Sequence, residues 1–397
     1  MPQDATPAFP SLCSGRPGPT ESAAAATPVP PHPVPGRPAA GPLRLTILAC
    51  VATALLSGLW SGLGRLGWDL PHGAPLASLH APLLVSGVFG ALVALERAVA
   101  LRGRWPYAAP ALSAFGTALV VAGMPAVAGA WAYVAGAAVL TLASLVAAYR
   151  QPAAFTASLT AGAAAWLIGS VGWALGDPVP DLAGWWLAFL VLTIAGERLE
   201  LSRLMPRSRL SLPLYLLATG TFLAGAGEGV HAARGAGLSG LGLLALTAWL
   251  ARHDIVRRTF RLGGQARFMA VCMLAGYAWL AVAGLLLLTE PPGRHAFGYD
   301  MALHAVLLGF VLSMVFGHAL IILPAVVGIQ LRFHPVLYVP LAILHGSVAL
   351  RVASDLFGAH AGRMWSGPVT AAAIAVFAAC AAWTARSPRR YGHRSAR

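Results

Sequence analysis

The chain has 397 residues, of which 58% are hydrophobic and only 10% charged, a balance that excludes a large soluble domain and marks a polytopic membrane protein. Its 27 basic residues, all arginine, give a net charge of +14, but they fall in short stretches between apolar runs, where they report membrane topology rather than a nucleic-acid surface. The four cysteines, Cys13, Cys50, Cys272 and Cys380, show no C-x-x-C spacing, which leaves disulfide frameworks, zinc fingers and covalent haem attachment without support.

Residues 1–42 are rich in Pro, Ala and Gly and are expected to form a disordered cytoplasmic tail. No basic segment followed by an apolar core opens the chain, so a cleavable signal peptide is not expected. Apolar stretches then recur at about 43–65, 78–101, 107–126, 127–149, 153–175, 181–202, 210–232, 235–252, 267–289, 298–328, 334–354 and 364–385. Each approaches the ~20 residues a helix needs to cross the hydrocarbon. The expectation is an all-α polytopic domain of about twelve transmembrane helices over residues 43–385, followed by a basic cytoplasmic tail at 386–397.

Arginine placement checks that count. With the N-terminus inside, the inner loops and C-terminal tail carry most of the arginines, among them Arg102, Arg150, Arg203, Arg257, Arg258 and Arg332. The outer loops carry only Arg65, Arg234, Arg294 and Arg363. That asymmetry predicts a bacterial inner-membrane protein with both termini cytoplasmic. A repeat is also visible: the second span ends in Glu96-Arg97 and the sixth in Glu197-Arg198, each followed by a proline and a Gly-Thr pair. The copies run in the same direction four spans apart, which predicts three parallel four-helix units with the second, sixth and tenth spans equivalent.

Histidines at membrane depth are functional-site candidates, because an unligated imidazole there still needs polar partners. His80 lies about one turn below the outer surface on the second span, and His304 lies one to two turns below it on the tenth. The two can face each other and hold one metal or haem iron. His318 follows His304 by fourteen residues, within about 40° of the same face of a regular α-helix. His318 and His345 reach comparable depth on adjacent antiparallel spans and form a second candidate pair. Bis-histidine ligation of b-type haem needs two opposed imidazoles and an apolar slot; Gly87, Gly90, Gly309 and Gly317 would leave room for a flat macrocycle, or else serve close helix packing.

The charged groups have two readings. Glu96, Arg97, Glu197 and Arg198 either bind a propionate, a quinone head or protons at the inner side, or are interfacial carboxylates beside snorkelling arginines. Arg351 and Asp355 either pair locally at i, i+4 or bracket a haem propionate. Glu228 and His231, at i, i+3, have the spacing of a bundle di-metal ligand pair but are better read as an interfacial ion pair.

The stretch HGAPLASLHAPLLVSGVFGALVALERA, together with ALHAVLLGFVLSMVFGH, resembles the early and late histidine regions of the NnrS family. The resemblance implies a twelve-span protein that binds haem b and copper and is associated with bacterial nitric oxide tolerance. More broadly, the His80/His304 pairing on spans two and ten is similar to subunit I of haem–copper oxidases and nitric oxide reductases. The chain departs from those enzymes: the sixth span has no histidine, the seventh has only His231 at its edge, and the tenth lacks H-x-H. An oxidoreductase with their binuclear copper centre is therefore not expected. The leading expectation is an NnrS-like haem-binding membrane protein, with or without copper, that handles nitric oxide or moves electrons. The alternatives are a secondary transporter without redox cofactor and a di-haem cytochrome linking a quinone to a periplasmic electron carrier. No nucleic-acid partner is expected.

Overall fold

The computed structural model describes residues 41–71, 76–101, 103–204 and 208–386; the tails expected at 1–42 and 386–397 lie outside these except at residues 41, 42 and 386. Helices succeed one another with short turns. In chain order they are α1 (Pro42–Arg65), α2 (Ala77–Leu101), α3 (Trp105–Val121), α4 (Ala126–Arg150), α5 (Ala154–Leu175) and α6 (Val179–Leu201). The second half holds α7 (Ser211–Glu228), α8 (Ala233–His253), α9 (Gly264–Thr289), α10 (Gly298–Val327), α11 (Pro335–Leu356) and α12 (His360–Arg386). Among the described residues there is no strand, only an isolated bridge between Pro292 and His295. The protein is thus an all-α membrane protein.

Nine of these helices are long and apolar enough to cross a membrane, and α3 is a shorter apolar helix. Helices α7 and α8 occupy the seventh and eighth apolar stretches but stand outside that group, their sequences diluted by Gly, Ser and Thr and by Glu228, Arg234, Arg252 and His253. The third stretch ends earlier than expected. Gly123 turns the chain at a φ of 75°, a conformation open to glycine, and Met124-Pro125 lead straight into α4.

Burial ranks the helices. In α6 72% of the apolar window is enclosed by protein, against 22% in α1, so α6 is an interior rod and α1 a peripheral one. Trp166 of α5 stacks on Phe189 of α6 at 5.2 Å, both fully buried. Small residues let the backbones close up: a Cβ on Gly162 would lie 3.0 Å from the Phe189 carbonyl oxygen, and one on Gly240 would lie 2.7 Å from that of Gly284. These contacts join α5 to α6 and α8 to α9.

Two helices depart from regular α winding in the same way. In α2 the residues Leu83–Gly90 form a π-helix starting three residues after His80; in α10 the residues Ala305–Leu312 form one starting directly after His304. Both histidines sit in the same hexad pattern, Leu-His-Ala-x-Leu-Leu, at 79–84 and 303–308. Hydrogen bonds from i to i+5 widen the turn, and such segments are rare and concentrate at functional sites. They also correct the expected register. A π stretch advances fewer degrees per residue than an α-helix, so the regular-helix angle between His304 and His318 does not apply.

Candidate functional site

The two π-bearing helices bring His80 and His304 together. Their ring centroids lie 6.5 Å apart with planes 21° from parallel. His80 Nδ1 is 2.8 Å from the Gly58 carbonyl oxygen on α1, and His304 Nδ1 is 2.8 Å from the Asp300 carbonyl oxygen one turn earlier on α10. A carbonyl only accepts, so each Nδ1 carries the proton and donates, and each Nε2 is left with its lone pair. Neither Nε2 has a hydrogen-bond partner among the described residues. The His80 ring also rests on Gly62 of α1: a Cβ there would come 2.7 Å from the imidazole.

Behind His304 stands a compact ion cluster. Asp300 Oδ1 is 3.4 Å from His304 Nδ1, while Asp300 Oδ2 accepts from Arg351 Nε at 3.0 Å and from Arg351 Nη2. Arg363 Nη2 lies 3.3 Å from the same oxygen, and Arg363 Nη1 donates to Asp355 Oδ1 at 2.5 Å. Arg351 Nε is 3.5 Å from Asp355 Oδ2, which closes a ring of two aspartates and two arginines across α10, α11 and α12. The Phe297 ring covers the Arg363 guanidinium at 4.0 Å. The side chain of Asp355 is fully buried and that of Arg351 is 8% exposed. Charges so enclosed persist only when paired, and here each cation meets two carboxylates.

A second polar group forms near the other ends of α2, α6 and α10. Arg198 is only 6% exposed. Its Nη2 donates to His318 Nε2 at 3.2 Å, its Nη1 lies 3.6 Å from Met273 Sδ, and its Nε is buried without a partner. His318 Nδ1 donates to the Met314 carbonyl oxygen at 2.8 Å. Glu96 and Glu197, both half-buried, lie close enough to feel one another's charge and those of Arg97 and Arg198. Nearby, the Tyr277 hydroxyl donates to Asp254, whose other oxygen accepts from the Val256 amide at 3.1 Å. Burial holds the Asp254 carboxyl above its ordinary pKa, against the opposing pull of Tyr277 and Arg198.

His345 belongs to neither group. Trp279 Nε1 donates to its Nδ1 at 3.0 Å, so its proton sits on Nε2, 3.3 Å from Ser313 Oγ. The Ser313 hydroxyl in turn donates to the Cys272 carbonyl oxygen at 2.7 Å. His318 and His345 therefore do not meet as a pair: each ring has both nitrogens engaged by separate protein groups.

The expected macrocycle slot is also filled. A Cβ on Gly90 would collide with the Trp166 indole and one on Gly309 with the Trp279 indole; at Gly87 it would meet Thr117 and Ala54, and at Gly317 Cys272. These glycines serve close packing. Arg351 does pair with Asp355, but its tightest partner is Asp300 beside His304. Glu228 and His231 take different partners, Arg234 at 3.6 Å and Asp181 at 3.2 Å.

Reading the sequence missed Asp300, Arg363 and the carbonyl of Gly58. Asp300 carries a legible signal, an acid one turn before a membrane histidine. Arg363, expected in an outer loop, lies in the first turn of α12.

Among the described residues no group of three or more His, Cys, Asp or Glu side chains is placed to share a metal ion, so a metal here would rest on the histidine pair. The centroid spacing of the pair matches that of a shared ion: a metal bonded to a nitrogen of each ring at about 2.0–2.1 Å with the rings end to end sets the centroids roughly 6.3 Å apart, against 6.5 Å between these near-parallel rings. The Nδ1–carbonyl bonds are the outer partners that metal-binding imidazoles use to fix their orientation.

A family model for a domain of unknown function, DUF8744, matches residues 44–386. The chain belongs to the DUF8744 family. The DUF8744 match runs from the start of α1 to the end of α12 and so takes in both histidine segments and the ion cluster. No curated protein matches the chain.

Proposed function

We propose that this protein is a haem-binding integral membrane protein in which His80 and His304 hold one haem b iron near the outer face, serving nitric oxide handling or membrane electron transfer. The observation that carries the proposal is the pair of near-parallel imidazoles, each with Nδ1 anchored to a carbonyl and Nε2 free of protein partners. Bound haem would supply one-electron exchange, nitric oxide could bind the iron only where one of the two imidazoles gave up its place, and the apolar helices around it would keep bulk water away. The resemblance of both histidine segments to the NnrS family supports the same role.

In this reading the chain crosses a bacterial inner membrane twelve times with both ends cytoplasmic, and α3, α7 and α8 count as spans. The Leu-His-Ala-x-Leu-Leu hexads and their π-helices support equivalence of α2 and α10 within a threefold repeat.

One observation favours a smaller guest at the same ligands. The space expected at the four glycines is taken by Trp166, Trp279, Thr117, Ala54 and Cys272, which leaves a single copper ion between the two imidazoles as a second reading. Haem and copper per chain, measured on the purified full-length protein after haem- and copper-replete expression, decide between them. One haem supports the leading reading and copper without haem supports the second. Neither would promote a transporter, with His80, His304 and Glu96 as substrate or proton sites.

A further inference from the structure

Resting on that reading, we propose that Asp300 is the positioning residue of the site and makes its two histidines unequal, with His304 the stronger and more firmly held ligand. The inequality is visible in the surroundings of each Nδ1. His80 Nδ1 donates to one uncharged acceptor, the Gly58 carbonyl on a separate helix. His304 Nδ1 faces a carbonyl at 2.8 Å and a carboxylate oxygen at 3.4 Å, both of Asp300, one turn away on the same helix.

The carboxylate cannot swing to another role, because its second oxygen is held by Arg351 and Arg363. Those arginines are fixed in turn by the fully buried Asp355 and, for Arg363, by the face of Phe297. The cluster is internally neutral, with two aspartates against two arginines. It therefore orients Asp300 without adding net charge, and three helices brace one imidazole. A carboxylate beyond Nδ1 makes an imidazole more electron-rich and a better donor through Nε2, and losing such a partner commonly lowers metal affinity about 10–100-fold. An electron-rich ligand also favours the oxidised metal.

The test compares Asp300→Asn with Asp355→Asn in the purified full-length protein. Each removes one negative charge from the same ring, but only Asp300 reaches His304. Haem and copper retention, the Soret spectrum and the reduction potential are read for both variants, with thermal unfolding as a control for the fold. The expected result is that Asp300→Asn weakens retention about 10–100-fold and raises the potential, while Asp355→Asn loses comparable stability with spectrum and potential unchanged. Wild-type protein that binds haem or copper, with the two variants indistinguishable, would overturn the role of Asp300 alone. Wild-type protein that binds neither would overturn the site and this role with it.

Discussion

The two ends of the helix bundle treat buried charge and imidazole differently. At the His80–His304 end the enclosed cations Arg351 and Arg363 each have two carboxylate partners, and the two Nε2 atoms have no hydrogen-bond partner among the described residues. At the Arg198–His318 end Arg198 has no carboxylate at ion-pair distance among the described residues, and the imidazole nitrogens are both used within the protein. Paired charges beside unused imidazole lone pairs describe a site prepared for a metal, although Asp355 Oδ2, like Arg198 Nε at the other end, is buried without a hydrogen bond. A buried guanidinium resting on a neutral histidine and a thioether describes a structural contact at the end of an interior helix. The presence of histidine at membrane depth does not distinguish the two ends; the partners of its nitrogens do.

This contrast breaks most visibly at the ligands. His80→Ala and His304→Ala should each remove essentially all of the bound-haem absorbance while the protein remains in the membrane, whereas His318→Ala and His345→Ala should leave it in place. A second site at His318 and His345 would instead show as a partial loss in those variants. The charges give the next largest difference. Arg351→Ala leaves the buried Asp355 and the partly buried Asp300 with one arginine, and unfolding in detergent should show a loss of about 3–5 kcal/mol. Arg198→Met removes the hydrogen bonds to His318 and the Met273 thioether and no ion pair, so about 1–2 kcal/mol is expected. Comparable losses would mean that the inner cation is paired more strongly than its contacts indicate. The smallest effect is expected from Glu96→Gln with Glu197→Gln, which should alter the haem signal by less than about twofold, since neither carboxylate reaches a ligating imidazole. Reporter fusions near Gly263 and Gly293 sharpen the comparison by assigning compartments, with the first expected inside and the second outside.

The helices were legible because span-length apolar runs punctuated by arginine leave few folding options in a bilayer. The pairing of His80 with His304 was legible for a related reason: two parallel spans place them at one depth. The winding around them was not. No propensity marks a π-helix, and the regular-helix angle between His304 and His318 fails because of it. The partners of His318 and His345 were not legible for a different reason. Depth and span direction say nothing about which neighbour fills a ring nitrogen, and Arg198, Trp279 and Ser313 come from parts of the chain that only packing brings near. Glycine was ambiguous in the same way, since an open slot and an indole in van der Waals contact require the same absent side chain. Asp300 was within reach, one helical turn from His304, but its significance depends on Arg351 and Arg363, from helices later in the chain.

The central claim is that His80 and His304 hold one redox metal between them. Its most direct test is the reduced-minus-oxidised visible spectrum of the purified full-length protein, beside His80→Ala and His304→Ala, after haem-replete expression. The account predicts one low-spin b-type haem signal in the wild type and its loss in both variants. A wild-type protein with no Soret absorption, or a haem signal that survives both substitutions, would contradict it.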